Sequence, residues 1–142
     1  IAAGGMVDGG TMAAAFALGA EGIQMGTRMV SALESPVHQN WKQAIVDAPE
    51  TGTVFLNKFH SPALRALRTE RTSRLEANAA DNIMPEFGDA QALYFGGDME
   101  AAIPLSGQVA GRIESIKPVA DILHETRDEF FRILESLQRQ YL

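Results

Sequence analysis

A chain of 142 residues, 46% hydrophobic and 21% charged, has the composition of an ordinary globular domain, which argues against disorder and against a fibrous class. The formal net charge of −6 offers no basic field to a nucleic-acid backbone or an anionic membrane, and the lack of cysteine excludes disulfides, thiolate metal sites and cysteine nucleophiles within it. No apolar run approaches the ~18 residues that span a bilayer and no secretory pattern opens the chain, so a soluble, cytoplasmic protein without nucleic-acid or membrane partners is expected.

The chain opens on Ile1-Ala2-Ala3, which runs straight into Gly4-Gly5. This reads as a strand cut in its middle, and so as the start of a fragment, because strands are usually about five or six residues long. Asp8 is placed to cap a helix over Thr11–Leu18, rich in alanine and ended by Gly19. Gly22-Ile23-Gln24-Met25 is a short, mostly apolar run bounded by glycines, the signature of a buried parallel strand. Strand, helix, strand make a βαβ unit. A short helical run over Arg28–Leu33 follows the Gly26-Thr27 turn and stops before Pro36.

Beyond Pro36 the rhythm changes. Trp41, Ala44, Ile45 and Ala48 share one helical face, and Thr53–Leu56 reads as a strand. Leu64 and Leu67, with Arg65, Arg68, Arg71 and Arg74, predict a further helix, its arginines interleaved with Glu70 and Glu76 as a solvated, salt-bridged face. Ala79 to Gly97 reads mainly as loop with helical turns, and a helix is expected over Ile103–Ile113. Pro118 opens the longest helix, whose apolar stripe is Val119, Ile122, Leu123, Phe130, Ile133, Leu134, Leu137 and Tyr141; such a stripe needs a surface to cover.

Chemistry is expected at the two glycine turns. Parallel α/β folds bind ligands beyond the carboxyl ends of their strands, and barrels commonly hold phosphate in their last loops and at the start of a short helix. At Gly5 and Gly26 the backbone can approach an anion closely, and the N–H groups and hydroxyl at Thr27 can donate to it. On spacing alone, tight βα turns account for these glycines equally well. Ser106-Gly107-Gln108 is either a small-residue turn near a ligand or a helix cap. His38, His60 and His124 stand singly, and the carboxylates Asp81, Glu86, Asp89, Asp98 and Glu100 lack a metal-ligand pattern, so neither a catalytic histidine nor a metal is expected here.

The run IAAGGMVDGGTMAAAFALGAEGIQMGTRMVSALES resembles the corresponding run of the nitronate monooxygenase family, formerly the 2-nitropropane dioxygenases, which includes FMN-dependent enoyl-acyl-carrier-protein reductases. VHQNWKQAIVDA, LNKFHSPALRALRTE and GGDMEAAIPLSGQVAGRIESIKPVADIL extend the likeness over nearly the whole chain. The resemblance implies an α/β fold, the C-terminal portion of an FMN-binding (β/α)8 TIM barrel with an inserted small α-rich domain and a long C-terminal helix. Residues 1–35 would be the last barrel strands, 36–97 the insertion on the substrate side, and 98–142 the helices returning to the barrel.

By the same resemblance, Gly5, Gln24, Met25, Gly26 and Thr27 contact FMN, Gly4 supplies a neighbouring amide, and Ser106, Gly107 and Gln108 form a turn near the flavin. The implied reaction is oxidation of an alkyl nitronate with O2 by an FMN-dependent monooxygenase, its histidine base lying upstream of Ile1. Alternatives are an NAD(P)H-dependent FMN reductase of the enoyl-thioester or quinone type, or a non-catalytic helical interaction module built on the amphipathic C-terminal half. An inosine-monophosphate-dehydrogenase type of barrel has similar phosphate turns, but its chemistry needs a cysteine that this chain lacks.

Overall fold

The computed structural model describes residues 1–78 and 81–142; Ala79 and Ala80, at the head of the expected loop, lie outside the described residues. Strand β1 (Ala2–Ala3) leads into helix α1 (Gly9–Ala17), and strand β2 (Ile23–Gln24) pairs with β1 in parallel, Ala2 opposite Ile23 and Ala3 opposite Gln24. This is the expected βαβ unit. Asp8 caps α1 through a reciprocal box, its carboxylate accepting from the Thr11 N–H while the Thr11 hydroxyl accepts from the Asp8 N–H. Gly19, at φ +96°, ends the helix in the left-handed conformation that glycine adopts without penalty. Helix α2 (Thr27–Val30) is a single turn, followed by α3 (Gln39–Val46), which buries Trp41 and Ile45.

Two segments depart from the sequence reading. Leu64–Leu67 is not helical but is strand β4, antiparallel to β3 (Thr53–Leu56), with Phe55 opposite Arg65 and Leu56 opposite Leu64. The Leu64/Leu67 spacing imitates a helical stripe, yet β3 offers a ladder of backbone partners, and pairing overrides so short a pattern. The arginine series is therefore split among elements. Arg65 stacks on Phe55 and donates to the Thr53 hydroxyl from the strand, Arg68 follows the strand and pairs with Glu76 at 2.9 Å, and only Arg71 and Arg74 lie on α4 (Glu70–Ala77).

The second departure is Ile103–Ile113, which is not one helix. Its first part is extended and lies beside β4: Leu67 N–H donates to the Pro104 carbonyl, Ser106 N–H donates to the Arg65 carbonyl, and Leu105 bridges Ala66. Only Gln108–Arg112 forms a 3₁₀ turn. Pro104, lacking an N–H and clashing with the preceding turn, is incompatible with a helix interior. Between α4 and this segment stand a 3₁₀ turn at Met84–Glu86 and the short helix α5 (Ala90–Tyr94), in keeping with a stretch that is mainly loop.

One core cluster joins Val7, Val37, Trp41, Ile45, Leu67, Leu93 and Ala110, drawing on the chain from the first turn to the 3₁₀ turn before α6. A second gathers Val54, Leu56, Ala66, Leu75, Ile83 and Ile103 around the hairpin. Helix α6 (Val119–Tyr141) crosses α1, burying Ile122, Thr126 and Phe130, with Phe130 edge-on to Phe16 at 5.1 Å. No helix of the described residues is long and apolar enough to cross a membrane.

Candidate functional site

Because β1 and β2 are parallel and in register, the turns that leave them emerge side by side at one end of the pair. Gly4 and Gly5 occupy φ of +85° and +75°, two successive left-handed residues that side chains rarely tolerate. Gly26 is different. Its φ of −94° and ψ of −77° suit any residue, and a Cβ built there meets nothing within 4 Å. Neither its own backbone nor a neighbour in this chain requires glycine at that position, whereas an anion seated against the backbone would.

A cleft of about 180 Å³ lies between the two turns, lined by Gly4, Gly5, Gln24, Gly26, Thr27 and Gly107 among others. Its described lining contains no carboxylate, and its polar groups are main-chain amides, the Gln24 amide and one hydroxyl. Such a set suits an anion. Whole-ligand pockets run to roughly 300–1,000 Å³, so this cleft has the size of an anchoring subsite for one group of a larger molecule. Met29 and Val30 N–H groups both return to the Gly26 carbonyl, so the Thr27 and Arg28 N–H groups are the first-turn donors of α2 that precede any helical bond.

Thr27 joins the third segment to the first two. Its Oγ1 accepts from the Gly107 N–H at 2.7 Å, across 80 positions of sequence. A hydroxyl carries one donor besides its acceptor lone pairs, so the same side chain can donate into the cleft while holding the Gly107 turn. A Cβ on Gly107 would stand 3.1 Å from that oxygen, closer than ordinary packing allows. The residues present thus fit the phosphate end of a flavin nucleotide: a dense amide cradle, a hydroxyl donor, and glycine where the backbone must be approached.

Of the sequence-predicted site residues, the structure brings Gly4, Gly5, Gln24, Gly26, Thr27 and Gly107 to one cleft. Met25 is half-buried between them and is not among the lining residues. Ser106 is buried and spends its N–H on the Arg65 carbonyl, placing the turn and not facing the cleft. Gln108 lines an adjoining hollow of about 360 Å³ with Glu50 and Arg112, which shares Gly5 and Val109 with the cleft. His38 caps α3, its Nδ1 accepting from the Asn40 N–H, and its ring packs against Gly97; His60 sits in the β3–β4 loop and His124 on the exposed face of α6. None of the three lines the cleft.

Sequence reasoning missed Arg28. It is buried, with 7% of its surface exposed, and its Nη1 donates to the Ser31 hydroxyl and to the Ser115 carbonyl, each at 3.0 Å. Burial pushes its guanidinium below the usual arginine range, and the Glu125 carboxylate acts in the opposite direction. The signal was present: a lone charge directly after the Gly-Thr turn, within an otherwise largely apolar run.

The family model for nitronate monooxygenase matches residues 1–129. A probable nitronate monooxygenase of Staphylococcus aureus is 30% identical over 95% of this chain and 39% of its own length. One of Staphylococcus saprophyticus is 37% identical over 61% of this chain and 24% of its own. Among solved structures, FabK from Thermotoga maritima superposes with a TM-score of 0.90 at 40% identity, over 99% of this chain and 46% of that one. Nitroalkane oxidase from Streptomyces ansochromogenes, at 24% identity and a TM-score of 0.75 over 95% of this chain and 40% of that one, shares the fold. The chain therefore spans less than half the length of these relatives, and its α/β fold is similar to part of TIM-barrel enzymes. With a family model covering most of it and a relative 30% identical along nearly its whole length, the chain belongs to the nitronate monooxygenase family.

Proposed function

We propose that the protein containing this chain is an FMN-dependent oxidoreductase and that this chain holds the FMN phosphate between the Gly4-Gly5 and Gly26-Thr27 turns. The carrying observation is Gly26, a residue lining the cleft at which the chain's own geometry makes no demand for glycine. FMN held there would supply the redox chemistry by which an alkyl nitronate and O2 give a carbonyl compound and nitrite, two nitronates being consumed for each O2. The residues of this chain bind and orient: the Gly5, Gly26 and Thr27 amides and the Thr27 hydroxyl take the phosphate, and Gly107 closes the cradle from the far side. We assign the base to residues outside this chain, the insertion to residues 36–97, and the setting to the cytoplasm.

In the complete protein, Gly26→Ala and Gly26→Leu are expected to lower FMN affinity progressively, by about 10-fold or more for leucine, while the thermal midpoint barely moves. Affinity measured by fluorescence titration and stability by melting separate these effects. Retention of FMN by Gly26→Leu at the wild-type affinity would refute the cradle.

The likeness to FabK, higher in identity than the likeness to the nitronate monooxygenases, favours a second reading on the same turns: an NAD(P)H-dependent FMN reductase of an enoyl thioester or quinone. Turnover of propionate 3-nitronate under oxygen, set against NADH oxidation with quinone or enoyl thioester, distinguishes the two in the complete protein.

A further inference from the structure

Helix α2, which carries the proposed phosphate cradle at its start, is a single turn with no side-chain cap on its first residues. A helix this short has no stability of its own and must be held by its surroundings. The holding contacts run to the segment that precedes α6. Arg28 Nη1 donates to the Ser115 carbonyl at 3.0 Å, the Leu33 N–H donates to the Lys117 carbonyl at 2.9 Å, and the Val119 N–H donates to Glu34 Oε2 at 2.9 Å. Arg28 is the contact nearest the cradle, one residue beyond Thr27. Its Nη1 also donates to the Ser31 hydroxyl, which in turn donates to the Arg28 carbonyl at 2.9 Å, closing a small ring of bonds over the turn.

A buried guanidinium is an expensive way to fasten a helix. Its bonded acceptors are neutral, a hydroxyl and a main-chain carbonyl, and no contact ion pair to it occurs among the described residues. Asp8 and Glu129 also face its hollow, but Asp8 is paired with Arg112 at 2.6 Å and Glu129 accepts from the Gly9 N–H at 2.8 Å. Glu125 shares the hollow and its carboxylate acts on the guanidinium, so what Arg28 passes to the cradle is its hold on the turn.

Resting on the phosphate-cradle reading above, we propose that Arg28 is the positioning residue of that cradle: it fixes the Gly26-Thr27 turn against the Ser115 segment. Arg28 touches neither substrate nor cofactor. The turn that it fixes meets the phosphate and not the ring, so its removal should change the preference for FMN over riboflavin, which carries the same ring without the phosphate.

The test measures dissociation constants of FMN and riboflavin for the complete protein and for Arg28→Met and Arg28→Lys. Arg28→Met is expected to weaken FMN by about 10-fold or more and riboflavin by less than about 2-fold. Arg28→Lys keeps the charge and one donor, and should stay within about 3-fold of wild type for FMN. Should Arg28→Met not fold, Ser31→Ala removes one of its acceptors and should lower the FMN-to-riboflavin preference by about 3-fold. A preference unchanged in Arg28→Met, or in Ser31→Ala if that variant must stand in, overturns the assignment, as does an equal loss of both ligands. A wild-type protein that binds FMN no better than riboflavin refutes the cradle itself, and with it the role of Arg28.

Discussion

Thr27 does two things with one hydroxyl: it accepts from the Gly107 N–H, and it has a proton left for the cleft. Replacing it with valine keeps the shape and removes both functions, stranding a half-buried N–H at a cost of about 1–3 kcal/mol. Thr27→Val in the complete protein should therefore lower both the denaturant midpoint and FMN affinity, whereas Thr27→Ser should restore most of each. An unaltered FMN affinity in Thr27→Val would remove the hydroxyl from the cradle. At this scale the sequence was informative in one direction. Gly4, Gly5, Gly26 and Thr27 were legible as turn residues, with an anion site and a plain tight turn equally open on spacing alone, but the role of Thr27 as a clasp for Gly107 was not, since its partner lies 80 positions away.

Among the elements, the packing of α6 on α1 depends on Gly9. A Cβ there would come within 2.4 Å of the Phe130 nitrogen and 2.6 Å of the Thr126 carbonyl oxygen, and backbone at both places leaves little room to yield. Gly9→Ala should destabilise the protein by about 1–3 kcal/mol, read from its urea midpoint, while Gly10→Ala, whose nearest contact is 3.4 Å from Asp8 Oδ1, should cost much less. Equal midpoints for the two variants would contradict the close approach. Helices α1, α3 and α6 were legible because caps and apolar stripes are local signals: Asp8, the Trp41/Ile45 face and the proline before Val119 each sit within a few residues of what they control. Strand β4 and the extended run before Gly107 were not, because each is defined by a neighbour. A leucine pair three apart suits a helix as well as a strand until β3 supplies the ladder.

For the molecule as a whole, the parallel pair β1–β2 has two residues per strand and open edges, with Ile1 and Leu18 nearby each 90% exposed. Beyond Phe130 the stripe of α6 also emerges, Leu134 and Leu137 being 41% and 47% exposed. A cleft that takes one phosphate provides few contacts to the rest of FMN. The 142-residue chain produced alone is therefore expected to purify without stoichiometric flavin and to show no turnover; visible flavin absorbance at one equivalent would contradict this. The sequence by itself determined the turn conformations, the caps and the βαβ order, because these depend on φ preferences and side chains within one turn of the residue concerned. Only the tertiary structure decided that Gly107 closes on Thr27, that Arg28 faces the Ser115 segment and that β4 pairs with β3, because burial and long-range hydrogen bonding select among local conformations that the residues alone leave close in energy.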